Sequence, residues 1–272
     1  MQRKLDWNNE DIVNVFDEVT LWSAPFGKLL LENIPMQPNS TVVDLGFGTG
    51  FPLIELSQRF GSKSKIYGVD IWSEGIRKAK EKIKVFEISN IEIFEQSASA
   101  IPLKDNYVDL ICSNLGVNNF GNKEDVYKEC FRILKTGGKL CLTTNPIGTF
   151  TELFEIFKNI VQQYNEPDIE KELNNYINHR GTIKSISKEI SEAGFSLVKE
   201  KSAESNFRFC ESQALLDHSL IRLGFIESWE NLIPSDLRSD FFQKLIIEVD
   251  KEIDGRGEIT LTVPMLYLEF EK

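Results

Sequence analysis

The sequence predicts an α/β fold built on a doubly wound, mostly parallel sheet. From residue 41 onward, short apolar runs alternate with amphipathic segments, and strands that alternate with helices pair in parallel. The runs are apolar nearly throughout, as strands covered on both faces require. A glycine-rich stretch, Asp44–Gly50, joins the first run to the next amphipathic segment. In a doubly wound sheet, such a turn is a typical place for a ligand.

Two helical pieces are predicted before this alternation begins. Asp11–Val19 carries apolar side chains at helical spacing. Gly27–Asn33 is a second amphipathic piece, which Pro35 and Pro38 end. The segment between them, residues 21–26, is unusually aromatic for a loop.

The alternating region continues to about residue 150. Its predicted strands are Thr41–Leu45, Lys65–Asp70, Ile91–Gln96, Tyr107–Ser113 and Lys139–Thr144. Its predicted helices are Pro52–Arg59, Ser73–Phe86 and Lys123–Leu134. A turn over residues 135–138 separates the third helix from the fifth strand.

The pattern is looser beyond residue 150, where it predicts more helix than strand. The predicted helices are Thr151–Tyr164 and Ile183–Ala193, and a strand follows at Phe195–Lys201. Ser212–Glu252 is mostly helical and is divided by Pro234. The chain then has two apolar runs, Ile259–Val263 and Met265–Phe270, which Pro264 separates. Glu166–Tyr176 is polar and charged and receives no element. We interpret this half as a continuation of the sheet with helical insertions, so that residues 1–272 form one domain.

Composition and charge narrow the classes of function. The chain has 272 residues, of which 41% are hydrophobic, enough for a sizeable core. Lys and Arg number 31 and Asp and Glu 42, so the formal net charge is −11 at pH 7. A broadly acidic surface repels phosphate backbones, and no run of Lys and Arg forms a basic patch. We therefore expect no nucleic acid partner.

We also expect no membrane segment and no metal. No stretch approaches the roughly 20 apolar residues that cross a bilayer, and residues 1–13 lack the apolar core of a secretion signal. The two histidines, His179 and His218, lie far apart in the sequence, whereas a metal site needs clustered ligands. The cysteines show no CxxC spacing and are expected to be free thiols in a reducing cytoplasm: Cys112, Cys130, Cys141 and Cys210.

The glycine-rich turn departs from the dinucleotide-binding fingerprint. That fingerprint requires glycine at the first, third and sixth positions, and the sixth position counted from Gly46 is Phe51. Asp44, two residues before Gly46, would repel a pyrophosphate but suits a cationic amino group. Asp70 ends the second strand and can accept hydrogen bonds from ribose hydroxyls. The ligand therefore carries a ribose and a positive charge, and S-adenosylmethionine fits this description.

Four segments in order resemble the motifs of the class I S-adenosylmethionine-dependent methyltransferases. The segments are VDLGFGTG (residues 43–50), IYGVDIWSEGIRKAKEKI (66–83), IEIFEQSASAIPLKDNYVDLICSN (91–114) and ECFRILKTGGKLCLTT (129–144). The chain is most similar to the small-molecule branch of methyltransferase type 11, which includes the ubiquinone and menaquinone biosynthesis enzymes. The resemblance covers about residues 40–150. It implies a Rossmann-like, seven-stranded, mostly parallel sheet with helices on both faces.

The resemblance also implies roles for individual residues. Gly46, Phe47, Gly48 and Gly50, with Asp44, would lie against the methionine part of the cofactor, and Asp70 would accept from the ribose hydroxyls. Ile71 and Trp72 would lie against the adenine, and Asn114 would face the methionine moiety and sulfonium. Relatives commonly have an Asp-Ala pair after the third strand, where this chain has Ser97-Ala98. A hydroxyl would there replace the carboxylate that accepts from the adenine amine.

The acceptor side is less defined. The resemblance implies helical segments that form a lid, at residues 1–40, 148–182 and 205–256, around a cofactor-binding core at residues 41–147. Candidate acceptor-binding residues are Trp22, Phe26, Asn118 and Asn119. The Asn-Pro-Pro-Tyr tetrad of methyltransferases that modify amino groups of bases or glutamine is absent after the fourth strand. Methyl transfer from a sulfonium requires mainly alignment, so no catalytic residue is assigned, and His179 and His218 are weak candidates for a base.

The expected activity is methyl transfer to a small organic molecule, with S-adenosylhomocysteine as the product. The acceptor and its reacting atom, carbon, nitrogen or oxygen, stay open, and the chain is expected to be a monomer or a homodimer. Two alternatives remain: a methyltransferase that acts on RNA or protein, and a non-catalytic module that binds the cofactor.

Overall fold

The computed structural model describes residues 9–19 and 21–272, with side chains for residues 9–15 and 21–272. The predicted lid segment at residues 1–40 thus lies partly outside the described residues. Two compact units are present. The core unit consists of Val13–Thr144, Ile183–Ala203 and Met265–Lys272, and the second unit consists of Met1–Ile12, Asn145–Thr182 and Glu204–Pro264. The predicted insertions, residues 148–182 and 205–256, fall in the second unit.

The core unit contains β1 to β5 and parts of β6 and β7, whose remaining residues, 204–209 and 259–264, are assigned to the second unit. The strand order of the sheet is β3-β2-β1-β4-β5-β7-β6. The first five strands pair with one another in parallel, as β3-β2, β2-β1, β1-β4 and β4-β5, and β7 runs antiparallel to β5. The strands are β1 Thr41–Leu45, β2 Lys65–Asp70, β3 Ile91–Glu95, β4 Val108–Asn114, β5 Leu134–Thr144, β6 Ser196–Phe209 and β7 Ile259–Glu271. The Rossmann-like, seven-stranded, mostly parallel fold predicted from the sequence is confirmed.

Helices in the described residues follow the strands as the alternation predicts. They are α1 Glu10–Val19, α2 Ser23–Asn33, α3 Leu53–Phe60, α4 Ser73–Val85, α5 Lys123–Ile133, α6 Thr151–Gln162, α7 Pro167–Asn178, α8 Ile183–Ser191, α9 Ser212–Asp217, α10 Ser219–Gly224, α11 Ile226–Leu232 and α12 Arg238–Arg256. A short 3₁₀ turn, Gly116–Asn118, follows β4. No described helix is both long and apolar enough to span a membrane.

Two apolar layers cover the sheet of the core unit, as the apolar strands predict. One layer packs side chains of α2, α3 and α4 around Val42, and the other packs α5 and α8 around Val43 and Leu45. Adjacent residues of β1 therefore point to opposite faces of the sheet, each covered by helices. This arrangement leaves the carboxyl ends of the parallel strands, with their loops, as the edge that can meet a ligand.

Several elements differ from the prediction. Strand β5 begins at Leu134 and so includes residues 135–138, which were predicted as a turn, and β6 extends to Phe209, beyond the predicted end at Lys201. The polar segment around Glu166–Tyr176 is helix α7, whose buried side chains are only Ile169 and Leu173, so its apolar periodicity is weak. Helix α2 starts at Ser23, because Pro25 is tolerated in a first helical turn. The two apolar runs around Pro264 form one continuous strand, β7.

The second unit is held together by aromatic side chains. Phe157 makes edge-to-face contacts with Trp229 and Phe241, at ring-centroid distances of 5.4 and 5.0 Å, and all three side chains are fully buried. Phe154 joins the same cluster, 5.5 Å from Phe157. Such contacts add to the burial of large apolar area, so α6, α11 and α12 form one packed group.

All four cysteines are free, as expected. Cys112, Cys130 and Cys141 are buried, whereas Cys210 is exposed at the end of β6. Burial raises the pKa of the Cys112, Cys130 and Cys141 thiols, that of Cys141 to about 12.

Gly68 provides a test of how tightly the glycine-rich turn packs on the sheet. A Cβ atom at this position of β2 would lie 2.7 Å from Leu53 Cδ2 and 2.8 Å from a ring carbon of Phe47, and both side chains are fully buried. We expect Gly68→Ala to lower the free energy of unfolding in urea by about 1–3 kcal/mol, because overpacking forces buried side chains out of position.

Gly255 is the matched control, because it lies in α12 and a Cβ atom there meets nothing within 4 Å. Gly255→Ala should raise the free energy of unfolding by up to about 1 kcal/mol, since alanine is the better helix former. If both variants are as stable as the wild type or more so, the close packing of Phe47 and Leu53 on Gly68 is wrong.

Candidate functional site

The turn between β1 and α3 is formed by glycines in conformations that other residues rarely adopt. Gly46, Gly48 and Gly50 have φ values of 76°, 54° and 115°, and the Gly46 N–H donates to the Val69 carbonyl at 2.8 Å. The turn therefore follows the end of β2 closely and exposes backbone rather than side chains.

The Phe47 and Phe51 side chains hold this turn on the protein rather than facing a ligand. Phe47 is 1% exposed and belongs to the core, so only its backbone is available at the site. Phe51 packs against α2, where a Cβ on Gly27 would lie 2.1 Å from a Phe51 ring carbon. The residue that breaks the dinucleotide fingerprint is thus part of the packing between the turn and α2.

Asp70 connects the loops that follow β1 and β2. Its Oδ2 accepts a hydrogen bond from the Gly48 amide at 2.7 Å, and its Oδ1 accepts from the Ile71 and Trp72 amides at 2.7 and 2.9 Å. A carboxylate offers about four acceptor positions, so three amides leave room for a further donor. Sequence reasoning assigned Asp70 to a ribose but missed this role in shaping the turn.

Asp44 is a buried carboxyl group without a partner. It is 0% exposed, and neither of its carboxylate oxygens has a hydrogen-bond partner among the residues that the structure describes. Burial raises its pKa well above the usual range, and the charge of Asp70 raises it further. The Leu53 amide opposes this shift in pKa without reaching hydrogen-bond geometry. A desolvated acid of this kind is stabilised as an anion by a cation or by hydrogen-bond donors brought to it.

Ile71 and Trp72 lie differently at the start of α4. Ile71 is 72% exposed, which leaves its side chain open to a ligand. The Trp72 ring folds back over the turn and its own helix: a Cβ on Gly75 would lie 2.4 Å from the ring, and one on Gly48 would lie 3.7 Å from it. Trp72 therefore covers the glycine-rich turn.

Ser97 and Ala98 follow β3, where relatives have an acidic residue. The Ser97 and Ser99 hydroxyl oxygens are 2.8 Å apart, and the Ser99 amide donates to Ser97 Oγ at 3.3 Å. Ala98 packs against the core. Ser97 is thus engaged in a local turn, although its exposed hydroxyl can exchange partners.

Asn114, at the end of β4, is fixed on both sides of its amide. Its Nδ2 donates to the Ser23 carbonyl of α2 at 3.1 Å, and its Oδ1 accepts from the Thr143 hydroxyl at 2.7 Å. The residue is 6% exposed. Its side chain therefore positions α2 beside β4 and β5.

Gly116 and Ser113 belong to the site, although sequence reasoning did not select them. A Cβ on Gly116 would lie 2.6 Å from the Leu45 carbonyl oxygen, and one on Gly46 would lie 3.1 Å from Gly116 Cα. Ser113 donates to the same Leu45 carbonyl at 2.9 Å. The two loops thus meet backbone to backbone. A glycine two residues beyond the fourth strand was the available signal.

The predicted acceptor residues are placed unequally. Phe26 is 1% exposed and its ring lies 5.8 Å from that of the half-buried Trp22, so Phe26 is a core residue. Asn118 accepts from the Thr144 hydroxyl at 2.5 Å, and Asn119 is exposed. None of these contacts assigns a ligand, and the acceptor roles of all four residues stay predictions.

The two histidines both lie in the second unit and both have structural contacts. His218 caps α10, where its Nδ1 accepts from the Leu220 amide at 3.3 Å, between the rings of Phe207 and Phe209. Burial lowers the pKa of His218, which keeps the imidazole neutral and able to accept. His179 ends α7 and its Nδ1 donates to the Tyr176 carbonyl.

Comparison with known proteins agrees with the site. Residues 36–203 match the family model described as "Methyltransferase domain". The chain is 30% identical over 164 residues to the arsenite methyltransferase of Halobacterium salinarum, an alignment that covers 60% of this chain and 39% of that protein. It is 29% identical over 160 residues to the demethylmenaquinone methyltransferase of Lactococcus lactis, over 57% of this chain and 62% of that protein. The matches thus span about two fifths to three fifths of these relatives.

A solved structure shows the same fold. The S-adenosylmethionine-dependent methyltransferase from Aquifex aeolicus superposes with a TM-score of 0.52 at 19% identity, over 72% of this chain and 92% of that chain. S-adenosylmethionine, the cofactor predicted from the sequence, is confirmed as the cofactor of this family. Since the family model covers more than half of its residues, the chain belongs to the class I S-adenosylmethionine-dependent methyltransferases.

Proposed function

We propose that this chain transfers a methyl group from S-adenosylmethionine to a small organic molecule. The observation that carries the proposal is the pair Asp44 and Asp70 at the ends of adjacent strands, on either side of the glycine-rich turn. Asp44 is a buried acid without a partner in the described chain, and Asp70 has its carboxylate fixed by three amides. A ligand that carries both an ammonium group and vicinal hydroxyls satisfies both residues.

The residues present fit the cofactor. Asp44 would bind the ammonium of the methionine part, and Asp70 would accept from the ribose hydroxyls. The backbone of Gly46 and Gly48 would lie along the methionine chain, and the exposed side chain of Ile71 would lie against the adenine. When bound, S-adenosylmethionine supplies a methyl carbon activated by its sulfonium.

The chain would contribute orientation and exclusion of water more than proton transfer. An in-line displacement at the methyl carbon would require mainly that the chain align the two reactants. His218 is held as a helix cap with its pKa lowered by burial. We therefore propose that His218 is not a general base in the reaction, and we do not assign that role to His179.

Three observations support a small acceptor. The strand β4 ends at Asn114 and is followed by Leu115-Gly116, so it is not followed by the tetrad of the methyltransferases that modify amino groups of bases or glutamine. The net charge of −11 disfavours a polynucleotide. The relatives described above are named for arsenite and for demethylmenaquinone, which are both small molecules.

Transfer of a labelled methyl group tests the proposal directly. The chain would be incubated with methyl-labelled S-adenosylmethionine in three separate reactions. One reaction contains a metabolite extract, one contains total RNA and one contains total protein. We expect label to enter the metabolite fraction. Label in RNA or protein alone would show that the acceptor class is wrong, and cofactor binding without any transfer would identify a non-catalytic module.

Asp44→Asn should change stability and cofactor binding in opposite directions. The folded-state pKa of Asp44 is raised, so the folded state holds a proton that the unfolded chain releases above about pH 4, and the wild type loses stability as the pH rises. The variant lacks this cost. We expect a higher Tm for the free variant at neutral pH and a weaker affinity for S-adenosylmethionine.

Asp44→Asn should also remove the pH dependence that we expect for S-adenosylmethionine binding by the wild type. A bound ammonium favours the ionised Asp44, so wild-type binding releases a proton and tightens as the pH rises toward the raised pKa of Asp44 in the free protein. Calorimetry in buffers of different ionisation enthalpy measures this proton release. A wild-type affinity that does not change with pH, or that changes equally in Asp44→Asn, would contradict the assignment of Asp44.

Asp70→Ala should lower both the stability of the chain and its affinity for S-adenosylmethionine. Three backbone amides lose their hydrogen-bond acceptor, so we expect Tm to fall. The ribose hydroxyls also lose a charged acceptor, so we expect cofactor binding to weaken by about 1–3 kcal/mol. Asp105→Asn is the control, because Asp105 is an exposed carboxylate in an ion pair with Arg132 and its loss changes net charge equally. Unchanged calorimetric affinity in a folded Asp70→Ala variant would refute the ribose assignment.

A further inference from the structure

The carboxyl ends of β1, β2 and β3 lie side by side at the edge of the sheet that carries the candidate cofactor site. Strand β2 lies between β1 and β3, and the last residues of β2 and β3, Asp70 and Glu95, are in register. The Gln96 amide donates to the Asp70 carbonyl at 2.9 Å. The turn that follows β3 therefore begins beside Asp70.

This order of strands gives the direction of a bound cofactor. Under the proposed function, the ammonium of the methionine part lies at Asp44 on β1, and the ribose lies at Asp70 on β2. The methionine chain and the purine leave the ribose on either side of its ring oxygen. Because neighbouring strands are about 4.8 Å apart, a purine that continues beyond Asp70 in the same direction reaches the turn after β3.

Two serine hydroxyls lie next to each other in this turn. Ser97 Oγ and Ser99 Oγ are 2.8 Å apart, and either oxygen can be the donor. The Ser99 amide also donates to Ser97 Oγ, at 3.3 Å. Ser97 is exposed and Ser99 is half-buried, whereas Ala98 between them packs against the core. The turn is thus anchored to the core, and its hydroxyl pair is open to a ligand.

The edge of a purine presents two neighbouring polar groups, N1 and the substituent on C6, by which proteins read the base. In adenine, the C6 amine donates and N1 accepts. In a 6-oxo purine such as hypoxanthine, the C6 oxygen accepts and N1 carries a hydrogen that it donates. The two bases therefore present opposite patterns of donor and acceptor along the same edge.

A pair of hydroxyls satisfies either pattern. Each hydroxyl has one donor and two acceptor positions, and the Ser99 amide occupies one acceptor position of Ser97. Against adenine, Ser97 accepts from the amine and donates to Ser99, which donates to N1. Against a 6-oxo purine, Ser99 accepts from N1 and donates to Ser97, which donates to the C6 oxygen. Both hydroxyl hydrogens are used in each case, because the bond between the two hydroxyls reverses its direction.

A carboxylate at the same place lacks this adaptability, because an ionised acid only accepts hydrogen bonds. It would bind the amine of adenine and repel the oxygen of a 6-oxo purine. We propose that the Ser97 and Ser99 hydroxyls bind the N1 and C6 edge of the cofactor's purine, so that the chain accepts a 6-oxo purine in place of adenine. This inference rests on the proposed function for the position of the ribose.

Calorimetry with two ligands tests the inference on the full chain. S-inosylhomocysteine differs from S-adenosylhomocysteine only in its C6 oxygen and its N1 hydrogen, and both ligands carry the same ribose and amino acid. We expect the wild type to bind the two ligands within about fivefold of each other, since each base makes the same number of hydrogen bonds. Ser97→Asp should retain S-adenosylhomocysteine and bind S-inosylhomocysteine about ten- to hundredfold more weakly.

Two further variants separate the hydroxyl pair from its surroundings. Ser99→Ala should weaken both ligands by a similar factor, because N1 loses its partner in either base. Ser62→Asp is the matched control for Ser97→Asp, because Ser62 is exposed in the loop between α3 and β2, at the opposite edge of the sheet. It introduces the same charge and should leave both affinities unchanged. Thermal unfolding verifies that each variant is folded.

The outcomes distinguish this inference from the proposed function. A wild type that binds S-adenosylhomocysteine but binds S-inosylhomocysteine about tenfold more weakly or worse would overturn the inference and leave the proposed function in place. A folded Ser97→Asp variant whose affinities for the two ligands change equally would also overturn it. A wild type that binds neither ligand would refute the cofactor site of the proposed function, and the inference with it.

Discussion

The Asp70 carboxylate joins the two loops on which the candidate cofactor site depends. One of its oxygens accepts from the turn after β1, and the other accepts from the turn that begins α4. Because both loops are fixed to one side chain, the backbone of the glycine-rich turn has a defined path before any ligand binds. That path in turn requires Gly68 beneath Phe47, and Gly116 beside Gly46, since a Cβ atom at either position would meet occupied space.

Asp44, unlike Asp70, makes no hydrogen bond that would stabilise the fold within the described residues. Its carboxyl group is buried next to Asp70 without a hydrogen-bond partner in the described residues, so it contributes nothing favourable to the free protein that the structure reveals. Groups that oppose stability and lie at a binding edge are typical of functional sites. The two acids of the site are thus distinct: Asp70 stabilises the turn, whereas Asp44 makes no hydrogen bond within the described residues.

The sequence was informative where function depends on local backbone, and silent where it depends on distant packing. Glycine spacing predicted the turn between β1 and α3, and the end of the second apolar run placed Asp70 at the end of β2, because each is a property of a short segment of the chain. The contacts of Ser113 and Gly116 with the Leu45 carbonyl gave little signal, since Leu45 and Ser113 are 68 residues apart and meet only in the folded chain. Helix α7 was missed for a related reason: only two of its twelve residues are buried, so its sequence reads as polar.

The contrast among the four cysteines has a practical consequence for work on this protein. Thiolates react with maleimides and thiols do not, and burial both shields Cys112, Cys130 and Cys141 and raises their pKa. Cys210 alone is exposed, and it lies directly after the end of β6. The natural chain therefore offers one addressable position for a fluorophore or spin label, without any cysteine having to be removed.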